Sequence, residues 1–405
     1  MRVLVIFLVM LLFLPLASAA QLTFVGDESL KELPGSGTPG DPYLLGNLFI
    51  NATNDTAILI KNTSAFLLIK NVSIVGENKR PGIILENVKN VRIENIRIVR
   101  CSYGIKIINS ENITIANSTF KGNLYCYWKS KFAGDADCKG GAIFADYSRN
   151  LHIINNSFVP HSYLFSNIYG VYLIMVKNST IYGNRFVSSV KCFPSAAFGG
   201  YCKGAAVYLD RSSGNEIIRN TIYLPSSGGM EYAAEVYGLY IWGQKNRIFL
   251  NDFYGLEAFT SEDEARRGVG FLYVHISPFV KMEQSSEAPA VFNSPKVIYR
   301  FGNETFEGFL GNYWDSYSGS DENGDGVIEQ PFKVDKYPLI FPSENYEIVG
   351  PVKEGLNTTT SSTWSSLVLN TSSPSAPSPQ EEENLTYVSL LVAIGLVLII
   401  LWRRK

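Results

Sequence analysis

The sequence is poor in the side chains that build metal centres, and it lacks a strong net charge. It contains three His, five Met and five Cys among its 405 residues, and the His and Met residues form no cluster. Because copper and related ions are held by grouped nitrogen and sulfur ligands, this scarcity argues against a transition-metal centre. Acidic and basic side chains number 37 and 35, which leaves a formal net charge of -2. This balance gives no reason to expect nucleic acid as a partner.

What the sequence does contain is a phrase that returns between about residues 64 and 253. Each copy has an Asn, a short run of alternating apolar residues, a second Asn and an aromatic or branched residue. The copies occupy residues 90–98, 112–120, 150–158, 178–186, 215–222 and 246–253. A second phrase, a small residue followed by more alternation, begins at Gly104, Gly170, Gly238 and Gly270. Period-two runs between Gly and Asn predict strands and turns rather than helices.

The shortest repeat, from Asn90 to Asn112, is 22 residues long and fits one coil of a parallel β-solenoid. In a solenoid, equivalent residues stack at about 4.8 Å, the spacing of neighbouring strands. We therefore expect a core of stacked Ile, Leu and Phe, and a hydrogen-bonded ladder of structural rather than catalytic Asn at the turns. The expected ladder includes Asn156, Asn184, Asn220 and Asn251, with Asn95 and Asn117 displaced by one residue.

The two ends of the chain resemble targeting signals. Residues 1–19 combine Arg2, an apolar run and Ala-Ser-Ala, which predicts a secretory signal peptide. Residues 385–402 are apolar and would span about 27 Å as a helix, which predicts a transmembrane segment followed by a basic cytoplasmic tail at 403–405. Residues 350–384 read as a Ser/Thr/Pro stalk. These features predict a single-pass type I protein of the cell membrane, with an extracellular ectodomain and membrane contact through the C-terminal helix.

Several glycosylation sequons agree with an exported glycoprotein. They lie at Asn51, Asn54, Asn303, Asn357 and Asn370. The sequons at Asn117 and Asn155 coincide with the expected ladder, so we expect these two side chains to be buried and unmodified.

The ectodomain divides into a cap with the first coil at 20–63, coils at 64–310 and a C-terminal cap at 311–345. Insertions interrupt the coils between the first and second phrases. They occupy about 121–140, 159–169, 187–203, 223–237 and 254–269. Because their position repeats, we expect the insertions to project side by side from one edge, where repeat proteins commonly place a binding face.

Four of the cysteines lie in two of these insertions. Cys126 and Cys138 share one, and Cys192 and Cys202 share another. In an exported protein, this spacing predicts two local disulfides, although pairing between the insertions stays open. Cys101 is left over and is expected to be buried.

The strand after each insertion carries aromatic and acidic side chains. Aligned on the small residue, one outward column contains Lys106, Ile143, Tyr172, Val207, Tyr240 and Leu272. The next contains Ile108, Ala145, Ile174, Leu209, Trp242 and Val274, and the strand ends at Asn109, Asp146, Met175, Asp210, Gly243 and His275. Aromatic faces beside carboxylates suit sugar rings, so the candidate carbohydrate-binding residues are Tyr172, Tyr240, Trp242, Asp146, Asp210 and His275. The alternative is that these columns form a small second core beneath the insertions.

An acidic loop follows the coils. Asp321, Asn323 and Asp325 alternate before Gly326, as in the first half of a calcium loop. Phe332 stands where an EF-hand would place its closing Glu, which excludes an EF-hand. Glu329 or Asp335 would complete a looser calcium site, and the alternative is an acidic turn without an ion.

Three motifs together resemble a known family. They are Gly-Ser-Gly-Thr through Asp-Pro-Tyr at 35–43, the Asn-x-Ile-x-Asn-x-Phe coils, and Gly-Asn-Tyr-Trp at 311–314 followed by Tyr-Pro-Leu at 337–339. Over about residues 38–339 the chain resembles the NosD-type, or CASH-domain, repeat proteins, and its stalk and anchor are similar to those of archaeal surface members. The resemblance implies an all-β, right-handed parallel β-helix like that of pectate lyases, with one C-terminal transmembrane helix.

That family includes polysaccharide-active enzymes, binding proteins and a maturation factor for a copper enzyme, and a β-helix alone does not choose among them. Our leading hypothesis is a cell-surface protein that binds a polysaccharide or surface glycan. One alternative is a polysaccharide lyase or glycoside hydrolase on the same face, although no catalytic motif is recognisable. Hydrolysis requires two carboxylates about 5 to 10 Å apart, which Asp146 and Asp210 approach, whereas a lyase would draw on Asp135, Asp137, Lys139 and Lys203. A second alternative is a NosD-like accessory protein for copper-enzyme maturation.

Overall fold

The computed structural model describes residues 21–123, 125–128, 136–159, 166–187, 202–223, 234–254, 280–283 and 290–352. All of them belong to a compact unit that ends at Val352. Most of the chain in these ranges forms a parallel β-solenoid, as predicted. Its first strands are β1 (Leu22–Val25), β2 (Tyr43–Ala52), β3 (Ile58–Thr63), β4 (Leu67–Gly76), β5 (Ile83–Glu94), β6 (Arg97–Val99), β7 (Tyr103–Ile108), β8 (Glu111–Ala116), β9 (Thr119–Lys121), β10 (Tyr125–Trp128), β11 (Ala136–Asp146), β12 (Arg149–Ile154) and β13 (Ser157–Val159).

The remaining strands continue the stack and then form a cap. They are β14 (Ser166–Ile174), β15 (Thr180–Tyr182), β16 (Arg185–Val187), β17 (Cys202–Asp210), β18 (Glu216–Ile218), β19 (Thr221–Tyr223), β20 (Ala234–Trp242), β21 (Arg247–Phe249), β22 (Asp252–Tyr254), β23 (Val280–Glu283), β24 (Val297–Phe301), β25 (Glu304–Gly308), β26 (Tyr313–Trp314) and β27 (Tyr346–Pro351). A short helix, α1 (Asp27–Leu30), lies near the start, and a 3-10 turn occupies Ser343–Asn345.

Each regular coil contributes one strand to each of three faces. Face 1 stacks β7, β11, β14, β17 and β20 in parallel. Face 2 stacks β8, β12, β15, β18 and β21, and face 3 stacks β9, β13, β16, β19 and β22. The strands of face 3 end in register before the insertions, with Lys121 opposite Val159 and Tyr223 opposite both Val187 and Tyr254. Every insertion therefore leaves the solenoid at the same edge.

The core is built from columns of identical or similar apolar side chains. On face 3, the Phe158 ring stacks on Phe120 and Phe186 with centroids 5.3 and 4.6 Å apart, and Phe253 stacks on Trp314 at 4.3 Å. On face 2 the inward column consists of buried Ile115, Ile153, Ile181, Ile217 and Ile248. Each fully buried side chain of this kind contributes about 1.5 to 3 kcal/mol to stability. The alternation seen in the sequence places these residues inward because side chains in a strand point to opposite faces.

A buried Asn ladder runs along the turn between faces 2 and 3, as predicted. The backbone N–H and the Nδ2 group of each Asn both donate to Oδ1 of the Asn in the next coil, at 2.9 to 3.1 Å. The ladder contains Asn156, Asn184, Asn220, Asn251 and Asn312. It ends at Asp335, whose Oδ2 accepts from Asn312 N and Nδ2 at 2.7 and 3.0 Å.

The expectation that Asn117 and Asn155 are buried is wrong. Asn117 is exposed and Asn155 is half-buried, because both occupy the left-handed turn position directly before the ladder, with φ of 50° and 53°. Asn tolerates this backbone conformation better than most residues, so the turn Asn is structural while its side chain points outward. In the coil before Asn156 the ladder position itself is taken by Ser118, whose N–H donates to Asn156 Oδ1 at 3.0 Å. In the coil before that it is taken by Ile96, whose N–H donates to Ser118 Oγ at 3.2 Å.

The C-terminal cap is a three-stranded antiparallel sheet of β24, β25 and β27. Arg219 fixes it to the coils by donating to the carbonyl oxygens of Ser343 and Tyr346 at 2.9 and 2.6 Å. Asp252 accepts from the backbone N–H and the hydroxyl of Ser343 at 2.7 and 2.9 Å. Burial raises the pKa of Asp252 to about 6, although these hydrogen bonds oppose the shift.

No helix within these described ranges is long and apolar enough to cross a membrane. The predicted signal peptide at 1–19, the stalk beyond Val352, the predicted transmembrane helix at 385–402 and the tail at 403–405 lie outside the described residues.

Candidate functional site

The outward columns of face 1 differ from the predicted ones by one residue in two coils. Lys106, Phe144, Tyr172, Tyr208 and Tyr240 share one register, and Ile108, Asp146, Ile174, Asp210 and Trp242 share the next. The predicted members Ile143, Ala145, Val207 and Leu209 instead point inward and are fully buried.

This one-residue difference arises from the small residues on which the predicted columns are aligned. The predicted columns place Gly141 and Ala205 at the position equivalent to Gly104. In the structure, the residue opposite Gly104 is Ala142. A Cβ atom at Gly104 would lie 2.5 Å from the Ala142 carbonyl oxygen and 2.6 Å from Phe120, so this position must stay small. A shift of one residue in a strand moves every side chain to the other face, which exchanges the core and surface assignments.

The first outward column is an aromatic layer that is mostly packed away from solvent. The ring centroids of Tyr172 and Tyr208 are 4.9 Å apart. Tyr208 stacks on Tyr240 with a centroid distance of 4.1 Å and an angle of 1° between the rings. Tyr240 is 7% exposed and forms a small cluster with Tyr237 and Ala205. Burial, followed by the Asp210 charge, raises the pKa of Tyr172 to about 12. Tyr240 is therefore part of a small second core, the alternative considered above. The rings of this column support the adjacent column rather than presenting open faces to a ligand.

The second outward column carries exposed and charged groups at the strand ends. Trp242 is 37% exposed, and the Arg211 guanidinium lies over its ring at 5.4 Å from the centroid. Arg211 Nε also donates to Asp210 Oδ1 at 3.0 Å. Tyr147, which follows Asp146, is 61% exposed. We call Asp146, Tyr147, Asp210, Arg211 and Trp242 the strand-end site.

Asp146 and Asp210 lie two strands apart on face 1, with Ile174 between them. At a strand spacing of about 4.8 Å, their backbones are about 10 Å apart. Burial raises the pKa of Asp146, and the Asp210 charge adds to this effect, while a hydrogen bond from the Tyr147 backbone N–H and the charges of Lys106 and Arg211 oppose it. Asp146 Oδ1 is buried and has no hydrogen-bond partner among the residues that the structure describes.

Sequence reasoning missed Tyr147 and Arg211. Both occupy the turn that ends each strand of face 1, where the backbone is left-handed, with φ of 48° in each case. Asn109 and Gly243 occupy the same turn in other coils, with φ of 48° and 153°, and both residue types adopt positive φ more readily. Bulky residues in a turn that favours Asn and Gly are the signal that could have identified them.

The last predicted members of the columns are not reached by the described strands. His275, Leu272 and Val274 lie outside the described residues. The strand that pairs with β20 is β23, in which Lys281 is opposite Tyr240 and Glu283 is opposite Trp242. Among the described residues, the strand that follows β20 on face 1 is therefore β23.

Comparison with known proteins agrees with this architecture. The model of the right-handed beta helix region family matches residues 43–266, which is more than half of the chain. The chain belongs to this family. No curated protein matches the chain. A solved structure titled "Geobacillus virus E2 - ORF18" is similar at 11% identity and a TM-score of 0.33, covering 83% of this chain and 76% of that one.

The acidic loop of this right-handed β-helix is closed by its own backbone. Asp321 accepts N–H groups from Gly324, Asp325 and Gly326 at 2.8, 3.1 and 2.8 Å, and Asn323 Oδ1 accepts from Asp325 N at 2.9 Å. Glu329 Oε1 accepts from the Glu322 N–H at 2.8 Å. In the described part of the chain, no three His, Cys, Asp or Glu side chains are grouped so as to hold a metal ion. A calcium site on this loop stays a prediction.

Asp335 does not belong to that calcium set. It is fully buried, and besides ending the Asn ladder it accepts from Trp314 Nε1 and Tyr337 N, each at 3.0 Å. Burial raises the pKa of Asp335 to about 6, with these donors opposing the shift. Its carboxylate is committed to joining its own loop to Asn312 and Trp314, at the last rung of the coils.

The described strands include three of the four cysteines in the predicted disulfides. β10 and β11 form an antiparallel hairpin in which Cys126 is directly opposite Cys138, as a local disulfide requires. Cys202 begins β17, and Cys192 lies outside the described residues. Both disulfides therefore stay predictions. Cys101 is buried and free, and burial raises the pKa of its thiol to about 12.

Proposed function

We propose that this β-helix is a cell-surface protein that binds a polysaccharide or surface glycan at the strand-end site. The observation that carries the proposal is the exposed Trp242 ring, which lies beside Asp210 and Arg211 on a rigid parallel sheet. Sugar rings present C–H groups to aromatic faces and hydroxyl groups to carboxylates. Both kinds of partner are present here, and neither has to be ordered when the ligand binds.

The packed aromatic column supports this site from the side. Tyr240 and Tyr208 are stacked and occupy the column next to Trp242 and Asp210. Side chains locked in this way hold their neighbours in fixed orientations, which lowers the entropy cost of binding. Of the six residues predicted to contact sugar, Trp242, Asp146 and Asp210 remain direct candidates and Tyr172 and Tyr240 become supporting residues. His275 lies outside the described residues.

The test is to incubate the full-length chain with neutral and acidic polysaccharides, with and without calcium, and to follow both by size-exclusion chromatography. Binding predicts that a polymer of unchanged length co-elutes with the protein. Trp242→Ala should weaken that binding about tenfold or more, as loss of a central aromatic contact commonly does. Phe49→Ala is the matched control, because Phe49 is 44% exposed and lies on β2, away from the strand-end site. No co-elution with any polymer would refute the proposal.

A glycoside hydrolase on the same site is the second candidate, and the Asp146–Asp210 pair favours it. A backbone separation of about 10 Å is compatible with the carboxyl spacing of inverting hydrolases, about 6.5 to 9.5 Å. In such an enzyme Asp146, whose pKa burial raises, would protonate the leaving oxygen, and Asp210 would activate water. Shortened polymer in the same chromatography, abolished by Asp210→Asn, would establish this activity.

The lyase alternative draws on residues beyond this site. Asp135 lies outside the described residues, and the side chains of Asp137, Lys139 and Lys203 are not described. For a copper-linked role, the nearest feature is His152, whose buried Nδ1 has no hydrogen-bond partner among the described residues. Its register neighbours are Thr114 and Thr180, which are poor copper ligands. Neither alternative is favoured by an observation of this structure.

Surface display is part of the proposal and rests on residues 1–19 and 385–402. It is tested separately by fractionating cells that express the full-length chain. The protein should be found in the membrane fraction, and protease added to intact cells should remove the β-helix. Recovery in the soluble cytoplasmic fraction would contradict surface display without affecting the glycan-binding test.

A further inference from the structure

The Asp146 carboxylate has one oxygen, Oδ1, that accepts no hydrogen bond from the described part of the chain. Among the residues that the structure describes, only Asp146 Oδ1 and His152 Nδ1 are buried side-chain polar atoms without a hydrogen-bond partner. Leaving a buried polar atom unpaired is costly, so such atoms commonly mark a place where a ligand or water supplies the missing group. An ionised carboxylate oxygen can only accept, and the missing partner is therefore a hydrogen-bond donor.

The nearby cations do not supply that donor. Arg211 directs Nε to Asp210 at 3.0 Å, and its guanidinium lies over Trp242. The Lys106 ammonium lies over the Phe144 ring, 5.6 Å from its centroid. The strand-end site therefore presents two carboxylates toward a ligand, and its only arginine is already paired with one of them.

The site also has a repeated composition along the solenoid axis. At one end the exposed Tyr147 follows Asp146, and at the other the exposed Trp242 is the register neighbour of Asp210. Ile174 separates the two carboxylates. Three strand spacings of about 4.8 Å place the backbones of Asp146 and Trp242 about 14 Å apart. This distance is too long for one sugar unit to contact both residues.

We propose, on the basis of the glycan-binding function above, that the strand-end site binds an extended chain of neutral sugars along the solenoid axis. Each end provides one aromatic ring and one carboxylate. The half-buried Asp146 carboxylate accepts a hydrogen bond from a sugar hydroxyl. A uronic-acid polymer would bring its own carboxylates against Asp146 and Asp210, and like charges in a partly buried site repel strongly. The strand-end site therefore favours neutral over acidic polysaccharides.

The test compares wild-type full-length chain with Asp146→Asn by isothermal titration at pH 8. The neutral probes are a mannan and a glucan, and the acidic probes are polygalacturonate and alginate. Wild type should bind at least one neutral polymer about tenfold or more tightly than either acidic one. Asp146→Asn removes the charged acceptor and adds a donor, so neutral binding should weaken by about tenfold while acidic binding strengthens. Asp55→Asn, on an exposed turn, is the matched control and should change neither.

The outcomes separate this inference from the proposed function. If acidic polymers bind wild type as tightly as neutral ones, glycan binding stands and neutral selectivity is overturned. Equal weakening of both classes by Asp146→Asn would likewise overturn the hydroxyl contact. If no polymer binds wild type, both proposals are overturned together. Should Asp146→Asn fail to fold, the selectivity of wild type alone still decides the inference.

Discussion

The buried Asn ladder gives the sharpest prediction about stability. Asn220 Oδ1 accepts from the backbone N–H and Nδ2 of Asn184, both at 2.9 Å, and its own Nδ2 donates to Ile181 O and Asn251 Oδ1 at 2.8 and 2.9 Å. In Asn220→Ala, Asn184 Nδ2 keeps its second bond, to Ile153 O. The Asn184 backbone N–H loses its acceptor, which costs about 1 to 3 kcal/mol, and the other lost bonds cost about 1 kcal/mol each. Three such bonds are lost, so we expect a total loss of about 4 to 6 kcal/mol.

A serine at the same position should restore part of this loss. Ser118 already occupies the ladder, where its Oγ accepts from Ile96 N at 3.2 Å and donates to Ala116 O at 2.8 Å. In Asn220→Ser, the hydroxyl can accept from Asn184 N in the same way, so we expect a loss of about 1 to 2 kcal/mol.

The measurement is urea unfolding followed by circular dichroism, with Asn54→Ala as the control. Asn54 is exposed, and its removal should change the free energy of unfolding by less than about 0.5 kcal/mol. A cost below about 1 kcal/mol for Asn220→Ala, or equal costs for the alanine and serine variants, would falsify the account of the ladder.

Three further predictions concern the cap, the core and the cysteines. Burial raises the pKa of Asp252 to about 6, so its contribution to stability is full below about pH 4 and is lost as the pH rises through about 6. Over this interval, wild type should lose about 3 kcal/mol of unfolding free energy relative to Asp252→Asn; parallel pH profiles would contradict this. Gly170→Ala should cost about 2 kcal/mol and lower Tm, because the new Cβ would lie 2.5 Å from the Ala206 carbonyl oxygen; an unchanged Tm would contradict it. Peptide mapping should find Cys126 joined to Cys138, and buried Cys101 should react with a thiol reagent only after unfolding; a disulfide containing Cys101 would contradict both.

The fold was predictable because each coil repeats the same local sequence pattern. Each coil carries its own alternation and its own pair of Asn residues, and stacking multiplies that signal. The ladder members Asn156, Asn184, Asn220 and Asn251 could be identified in this way. Asn117 and Asn155 were misassigned because the turn position and the ladder position are adjacent, and both accept Asn.

The site was less predictable because it depends on single-residue register and on distant parts of the chain. Gly141 and Ala142 are both small, so the sequence does not say which of them lies opposite Gly104. Neither Tyr147 nor Arg211 belongs to the repeated phrase. The role of Asp335 depends on a contact with Asn312, which no local pattern encodes.

The way the ladder ends has a consequence for how this protein can change in length. Hydrogen bonds in the ladder have a direction: Asn184 and Asn220, for example, each give two N–H groups to the Asn of the coil that follows, and Asn220 receives two from the coil before. The Asp335 carboxylate receives the last pair and has no proton to pass on when ionised. It acts as a chemical stop. Duplication or deletion of a whole internal coil would exchange one Asn for another in the same role, so the solenoid can gain or lose rungs in its middle while keeping the same terminus.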